Sequence, residues 1–231
     1  MIPLPLGRKP ILCYVTDRRA LPSAPLPSDS LPGDLEPHRV RSLLDCIRRA
    51  AAAGAGWIQI REKDLDARPL VELARFAIAE TLEAGARVLV NDRLDVALAA
   101  GAAGVHLGEN SLPLEAVAEW RRASGRPDFL VGVSCHSLES ARAAARGGAD
   151  YIFFGPVFAT PSKAAFGPPQ RTDRLREVCA SVEIPVLAIG GVNLENARSC
   201  IAAGAAGIAA IRLFQDAAID ASELAAQWKA F

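Results

Sequence analysis

At 231 residues, 51% hydrophobic and 23% charged, the chain has enough apolar material for one large domain with a packed core. Twenty-six basic residues balance twenty-six acidic ones. That balance argues against nucleic acid or an anionic membrane as partner, while leaving room for a local cationic cluster that holds a small anion. Five scattered cysteines without CxxC spacing read as reduced thiols. With no leader-like N-terminus and no apolar run long enough to span a bilayer, the expectation is a cytoplasmic protein.

In chain order, Ile11–Val15 is apolar and β-prone, and the Pro/Ser cluster over Ala20–Glu36 reads as an irregular insertion. Arg39–Ala53 has helical spacing and stops at Gly54. Strand and helix then alternate: Trp57–Ile60 and Pro69–Ala84, Val88–Val90 and Leu94–Ala100, Val105–Leu107 and Pro113–Ala123, Phe129–Val133 and Leu138–Arg146. Tyr151–Phe154, Val186–Ile189 and Gly207–Ala210 supply three more strands. Leu194–Ala203 and Ala217–Ala230 supply two more helices. Ala53–Gly54–Ala55, Ala100–Gly101–Ala102, Ala203–Gly204–Ala205 and the variant Gly147–Gly148–Ala149 each place a glycine where a helix must stop and the chain reverse into a strand. Eight such units predict an α/β fold, a single (β/α)8 TIM barrel over residues 1–231. A doubly wound open sheet is the competitor, disfavoured because no GxGxxG fingerprint is present.

In a barrel the C-terminal strand ends converge on one face, and here they are polar. Gln59, Arg61 and Lys63 alternate, so in an extended segment they share a side and could grip phosphate; a solvated strand end explains them as well. Gly190–Gly191 and Ile211–Arg212 follow the last two strands, a common place for phosphate, although the glycines could merely serve a tight turn. Asp92 could hold Mg²⁺ or cap the helix that follows it. His106 lies in an apolar run and reads as a packed, hydrogen-bonded residue. His136, after the fifth strand, is more open to use, whereas the neighbouring Cys135 is no nucleophile.

Taken together, Gln59–Ile60–Arg61–Glu62–Lys63, Asn91–Asp92–Arg93, Gly104–Val105–His106–Leu107–Gly108, Gly132–Val133–Ser134, Gly155–Pro156–Val157–Phe158, Thr160–Pro161–Ser162–Lys163 and Ala188–Ile189–Gly190–Gly191 occur in an order that resembles the thiamine phosphate synthase family and its relative, the thiazole tautomerase. The resemblance runs from about Ile11 to Phe214. It implies a transferase that joins a pyrimidine methyl diphosphate to a thiazole phosphate and releases pyrophosphate. By resemblance Gln59, Arg61, Lys63, Asn91 and Lys163 hold the diphosphate, Asp92 binds Mg²⁺, and Ser134 lines the pyrimidine and pyrophosphate site. Lys63, Lys163 and Ser134 are the expected catalytic residues. Thr160, Ser162, Gly191, Ile211 and Arg212 fall where the family holds the thiazole phosphate, with His136 as a further substrate contact. Ala164–Gly167 resembles a lid.

Two positions depart from the family pattern. A second metal carboxylate is replaced by Ser111, with Glu109 two residues before it, and the usual serine after the eighth strand is Arg212. These keep open a tautomerase with His136 as general base and no metal, or a phosphate-binding barrel without turnover. The expected partners are small phosphorylated molecules, and homo-oligomerisation stays open.

Overall fold

A computed structural model describes residues 9–21, 37–160, 168–216 and 221–230. Eight parallel strands close into a barrel in sequential order, the last pairing with the first. The strands are β1 (Ile11–Val15), β2 (Trp57–Ile60), β3 (Arg87–Asn91), β4 (Gly104–Leu107), β5 (Leu130–Cys135), β6 (Tyr151–Phe154), β7 (Val186–Ile189) and β8 (Gly207–Ala210). The helices are α1 (Pro37–Ala52), α2 (Ala67–Thr81), α3 (Leu94–Ala100), α4 (Leu114–Ala123), α5 (Leu138–Gly147), α6 (Arg171–Cys179), α7 (Leu194–Ala202), α8 (Arg212–Gln215) and α9 (Ala221–Lys229). The predicted (β/α)8 barrel is therefore the fold. Most of the 20–36 insertion lies outside the described residues, and only a 3₁₀ turn at Arg18–Ala20 marks where it begins.

Alternation along the strands sorts the core into two layers. Leu12, Tyr14, Ile58, Ile60, Val88 and Val90 face outward and pack with helix residues such as Leu43, Ile47 and Leu73. Their neighbours Cys13, Val15, Leu89, Leu130, Tyr151, Phe153, Leu187 and Ala209 form a second cluster that contains no helix residue, which is the barrel interior. The glycines read as helix stops adopt the left-handed backbone expected of them: φ is +100° at Gly54, +75° at Gly101, +96° at Gly148 and +97° at Gly204.

Two helices were not legible from the sequence. α6 (RTDRLREVC) buries only Leu175 and Val178, too thin a stripe to stand out. α8 is a single turn directly behind β8. It is anchored by Gln215, whose Nε2 donates to the Tyr14 hydroxyl and the Asp17 carbonyl, each at 2.9 Å, and by the Tyr14 and Phe214 rings, 4.9 Å apart. Among the described residues no helix is long and apolar enough to cross a membrane.

Candidate active site

The strand exits meet as expected, and beneath them lies a polar layer inside the barrel. Register pairs Asn91 with His106, His106 with Gly132 and Gly132 with Tyr151, so residues from four strands share one rung. His106 is 1% exposed. Its Nδ1 lies 3.1 Å from the Tyr151 hydroxyl and its Nε2 2.9 Å from Ser134 Oγ, while the Phe153 ring stacks 4.2 Å away. Burial, with the charge of Arg61 acting the same way, pulls the His106 pKa down to about 3, so the imidazole is neutral. The packed, hydrogen-bonded reading of His106 holds. Its partners could not be read from sequence positions 28 and 45 residues away.

Next to this rung, Gln59 is 2% exposed and its Nε2 donates to Asn91 Oδ1 at 2.9 Å. Its own carbonyl oxygen is buried and, among the described residues, has no hydrogen-bond partner. A buried orphan acceptor is costly and calls for a donor.

The β2 exit departs from simple alternation. The strand ends at Ile60, and the chain turns at Lys63–Asp64 with Lys63 exposed. Between them the buried Glu62 points back into a network that no motif announced. Thr16 Oγ1 donates to Glu62 Oε1 at 2.6 Å, and the Arg18 N–H reaches both Glu62 oxygens at 3.2 and 3.1 Å. The buried Arg18 guanidinium bridges Glu62 at 3.1 Å and Asp64 at 2.5 Å. Thr16 Oγ1 in turn accepts from the Arg61 N–H at 2.9 Å, which fixes the backbone of a predicted phosphate ligand. The two carboxyls titrate oppositely. Burial pushes Glu62 up against the pull of Thr16 and Arg18, whereas hydrogen bonds from Arg18 hold the more exposed Asp64 below its usual range.

Asp92 does not cap α3. The N-cap is Arg93, without a side-chain bond, and Asp92 sits before it at φ +68°, a left-handed conformation uncommon for a residue other than glycine. Its carboxylate is exposed, and Arg93 pairs with Asp95 at 2.6 Å instead. Such strain concentrates at functional positions. Farther round, Ser111 Oγ accepts from the Gly108 N–H at 2.7 Å, and Glu109 leans toward His136, with 3.8 Å between Oε1 and Nε2. Among the described residues no three His, Cys, Asp or Glu side chains gather as a metal cage.

His136 Nδ1 donates to the Gly155 carbonyl. Cys135 is buried on the outward layer, and burial pushes its thiol up to about 11, as expected of an inert cysteine. Gly190 and Gly191 have φ +90° and +67°. A Cβ on Gly191 would sit 2.6 Å from the Ala159 carbonyl, so the β6–α6 loop lies directly on the glycine pair. Asn196 Nδ2 takes the Gly191 carbonyl at 2.9 Å. Ile211 precedes α8, and Arg212 is its exposed first residue. Thr160 is the last described residue before 161–167. Ser162, Lys163 and the lid-like Ala164–Gly167 lie outside the described residues.

A family model described as thiamine monophosphate synthase matches residues 35–214, which take in β2 to β8 and most of the polar exits just described. The chain belongs to the thiamine monophosphate synthase family. Within it, a thiamine-phosphate synthase of Roseiflexus castenholzii is 42% identical over 91% of this chain and 82% of its own length. One from Methanoculleus marisnigri is 50% identical over 75% and 80%. Thiamine phosphate pyrophosphorylase from Pyrococcus furiosus has a solved structure that superposes with a TM-score of 0.77 at 33% identity, covering 95% of this chain and 96% of that one. Membership in the thiamine monophosphate synthase family makes the chain an enzyme, a transferase of thiamine biosynthesis.

Proposed function

We propose that the protein joins an aminopyrimidine, presented as its methyl diphosphate, to a thiazole phosphate, giving thiamine phosphate and pyrophosphate. The observation that carries this reading is the Gln59–Asn91 pair. Gln59 Nε2 donates to the Asn91 carbonyl oxygen, which turns the Asn91 NH₂ away from Gln59 and leaves it to donate to an anion. The same arrangement leaves the buried Gln59 carbonyl oxygen in need of a donor. A carbonyl oxygen repels diphosphate but suits an amino group, so Gln59 belongs with the aminopyrimidine and Asn91 with the diphosphate beside it.

Arg61, Lys63, Asn91 and, by the sequence motif, Lys163 then surround the diphosphate. Their positive charge and N–H donors stabilise pyrophosphate as it leaves, while the electron-rich aminopyrimidine spreads the charge left on its methylene carbon. Holding the thiazole nitrogen against that carbon completes the bond, so the remaining groups act by position. Ser134 lines the pyrimidine and pyrophosphate side. Thr160, Ser162, Gly191, Ile211 and Arg212 hold the thiazole phosphate, with His136 at the edge.

Magnesium fits as a cation that arrives with the substrate. One exposed carboxylate, Asp92, is not bound by its arginine neighbour, and Mg²⁺ is commonly held by one or two carboxylates with phosphate oxygens and water. Bound there, it would supply positive charge to the diphosphate. The supporting experiment incubates pure protein with both substrates and Mg²⁺ and follows thiamine phosphate and pyrophosphate together. Equal amounts of the two products support the reading. Absence of both over a wide Mg²⁺ range overturns it, and isomerisation of thiazole carboxylate phosphate alone would establish the tautomerase instead.

A further inference from the structure

Tyr151, His106 and Ser134 form a chain of three polar groups running from the closed interior of the barrel toward the substrate face. Tyr151 is 0% exposed, and among the described residues its hydroxyl has one hydrogen-bond partner, His106 Nδ1. Ser134, half-buried near the end of β5, meets the other nitrogen of the same ring. A neutral imidazole has one donor and one acceptor, so the bonds at its two ends cannot be chosen independently.

If Nδ1 carried the proton, it would donate to the phenol oxygen, and the phenol proton would be left buried without an acceptor. An imidazolium would strand the same proton and add an unpaired buried charge. Burying an unmade donor costs more than the hydrogen bond returns, so both arrangements lose. In the remaining one Tyr151 donates to Nδ1, Nε2–H donates to Ser134 Oγ, and the serine keeps its own proton for use elsewhere.

We propose that His106 is a positioning residue of fixed polarity, which accepts from Tyr151, donates to Ser134 and thereby makes the Ser134 hydroxyl a hydrogen-bond donor toward the substrate. The group Ser134 meets must then be an acceptor, a phosphoryl oxygen or an unprotonated ring nitrogen, and not an amino group. The inference rests on the proposed function only in taking the substrate to lie above Ser134; the polarity of the ring is a property of the free protein.

Two measurements test it. The first is the long-range ¹H–¹⁵N spectrum of the histidine rings in the unliganded protein. The chain has three histidines, and the His106 signals are those lost in His106→Gln. A protonated Nε2 and bare Nδ1 throughout pH 6–8 is expected; an Nδ1–H ring or an imidazolium overturns the proposal. The second compares variants that remain folded by circular dichroism. His106→Leu, which cannot donate, should lose kcat about tenfold, and His106→Gln, which can donate an amide N–H to Ser134, should recover most of it. In Ser134→Ala the same His106→Leu change should cost less than twofold, because its effect passes through the serine. Additive losses in the double variant overturn the proposal. Absence of turnover in the wild type would reject the synthase reading, while the ring spectrum still decides the polarity.

Discussion

Gly132 and Tyr151 face each other across β5 and β6, and the phenol ring occupies the volume a side chain at 132 would need. A Cβ placed there would lie 2.0 Å from Tyr151 Cζ. The glycine is thus the space in which the interior aromatic cluster sits, with Tyr151 4.6 Å from the Trp57 ring and 5.4 Å from Phe153. Gly132→Ala must push the ring off His106. Overpacking of this kind costs about 1–3 kcal/mol, and we expect the upper end from urea unfolding, together with a rise in KM or a fall in kcat. A loss below about 0.5 kcal/mol would show that the ring moves freely.

The depressed pKa of His106 makes stability fall on acidification. The folded protein refuses a proton that the unfolded chain accepts below about pH 6.5, so the unfolded state gains protons first. The contribution is complete above pH 6.5 and is lost progressively down to about 3. Arg61 pushes in the same direction, and Tyr151, whose pKa burial lifts well above 10, stays neutral throughout. Between pH 6.5 and pH 5 the single group should remove about 1.5 kcal/mol. His106→Gln should show a flatter profile by that amount in denaturant titrations, and parallel profiles would refute the assignment.

Glu62 serves as a brace between the β1 and β2 exits. Glu62→Ala leaves the Arg18 guanidinium buried with Asp64 alone. Removing one partner of a buried pair costs about 3–5 kcal/mol, and the thermal midpoint should fall accordingly. Thr16→Val removes one bond to Glu62 and the acceptor for the Arg61 N–H, at about 1–3 kcal/mol. It should also weaken pyrophosphate binding, which calorimetry reads directly. Unchanged binding in Thr16→Val would separate the brace from the phosphate site.

Ser111 is neutral and turned into its own loop, and Glu109 leans toward His136. A carboxylate restored by Ser111→Asp should lower the Mg²⁺ concentration for half-maximal rate by about tenfold, the effect of roughly 1.4 kcal/mol of added cation affinity. Asp92→Asn should raise it. An unchanged Mg²⁺ dependence in both would remove this face from metal binding.

Arg212, exposed at the start of α8, is proposed to reach the thiazole phosphate. Because the contact is solvent-screened, Arg212→Ser should weaken thiazole phosphate binding by about 1 kcal/mol, roughly fivefold, and more at low salt. Equal affinities would place the guanidinium in solvent.

The barrel was legible because the strands are short apolar runs, most of them followed by polar residues, and several reversals are marked by a glycine beside alanine. α6 was hidden because a helix that buries two apolar residues has no period to detect. Of the two readings of Asp92, metal ligand and helix cap, the cap rested on aspartate commonly preceding a helix; its left-handed backbone appears only once Arg93 is seen to take the N-cap position. The exits themselves could be named in advance, but not the Thr16–Glu62 and His106–Ser134 contacts. Those depend on which residues of separate strands share a level inside a closed, tilted sheet, and linear spacing does not encode that level.

The tie between Gln215 and Tyr14 spans 201 positions of sequence. Of the eight barrel strands, β1 leaves the ribosome first, and one of its two neighbours, β8, leaves last. Throughout synthesis the nascent sheet therefore carries a bare parallel edge at each end, the kind of surface that recruits other chains. Only when residues 207–215 emerge do both edges disappear together, and a single turn of helix latches the seam. A product that stops before residue 207 would not be a slightly weaker enzyme; it would be an open sheet prone to aggregation.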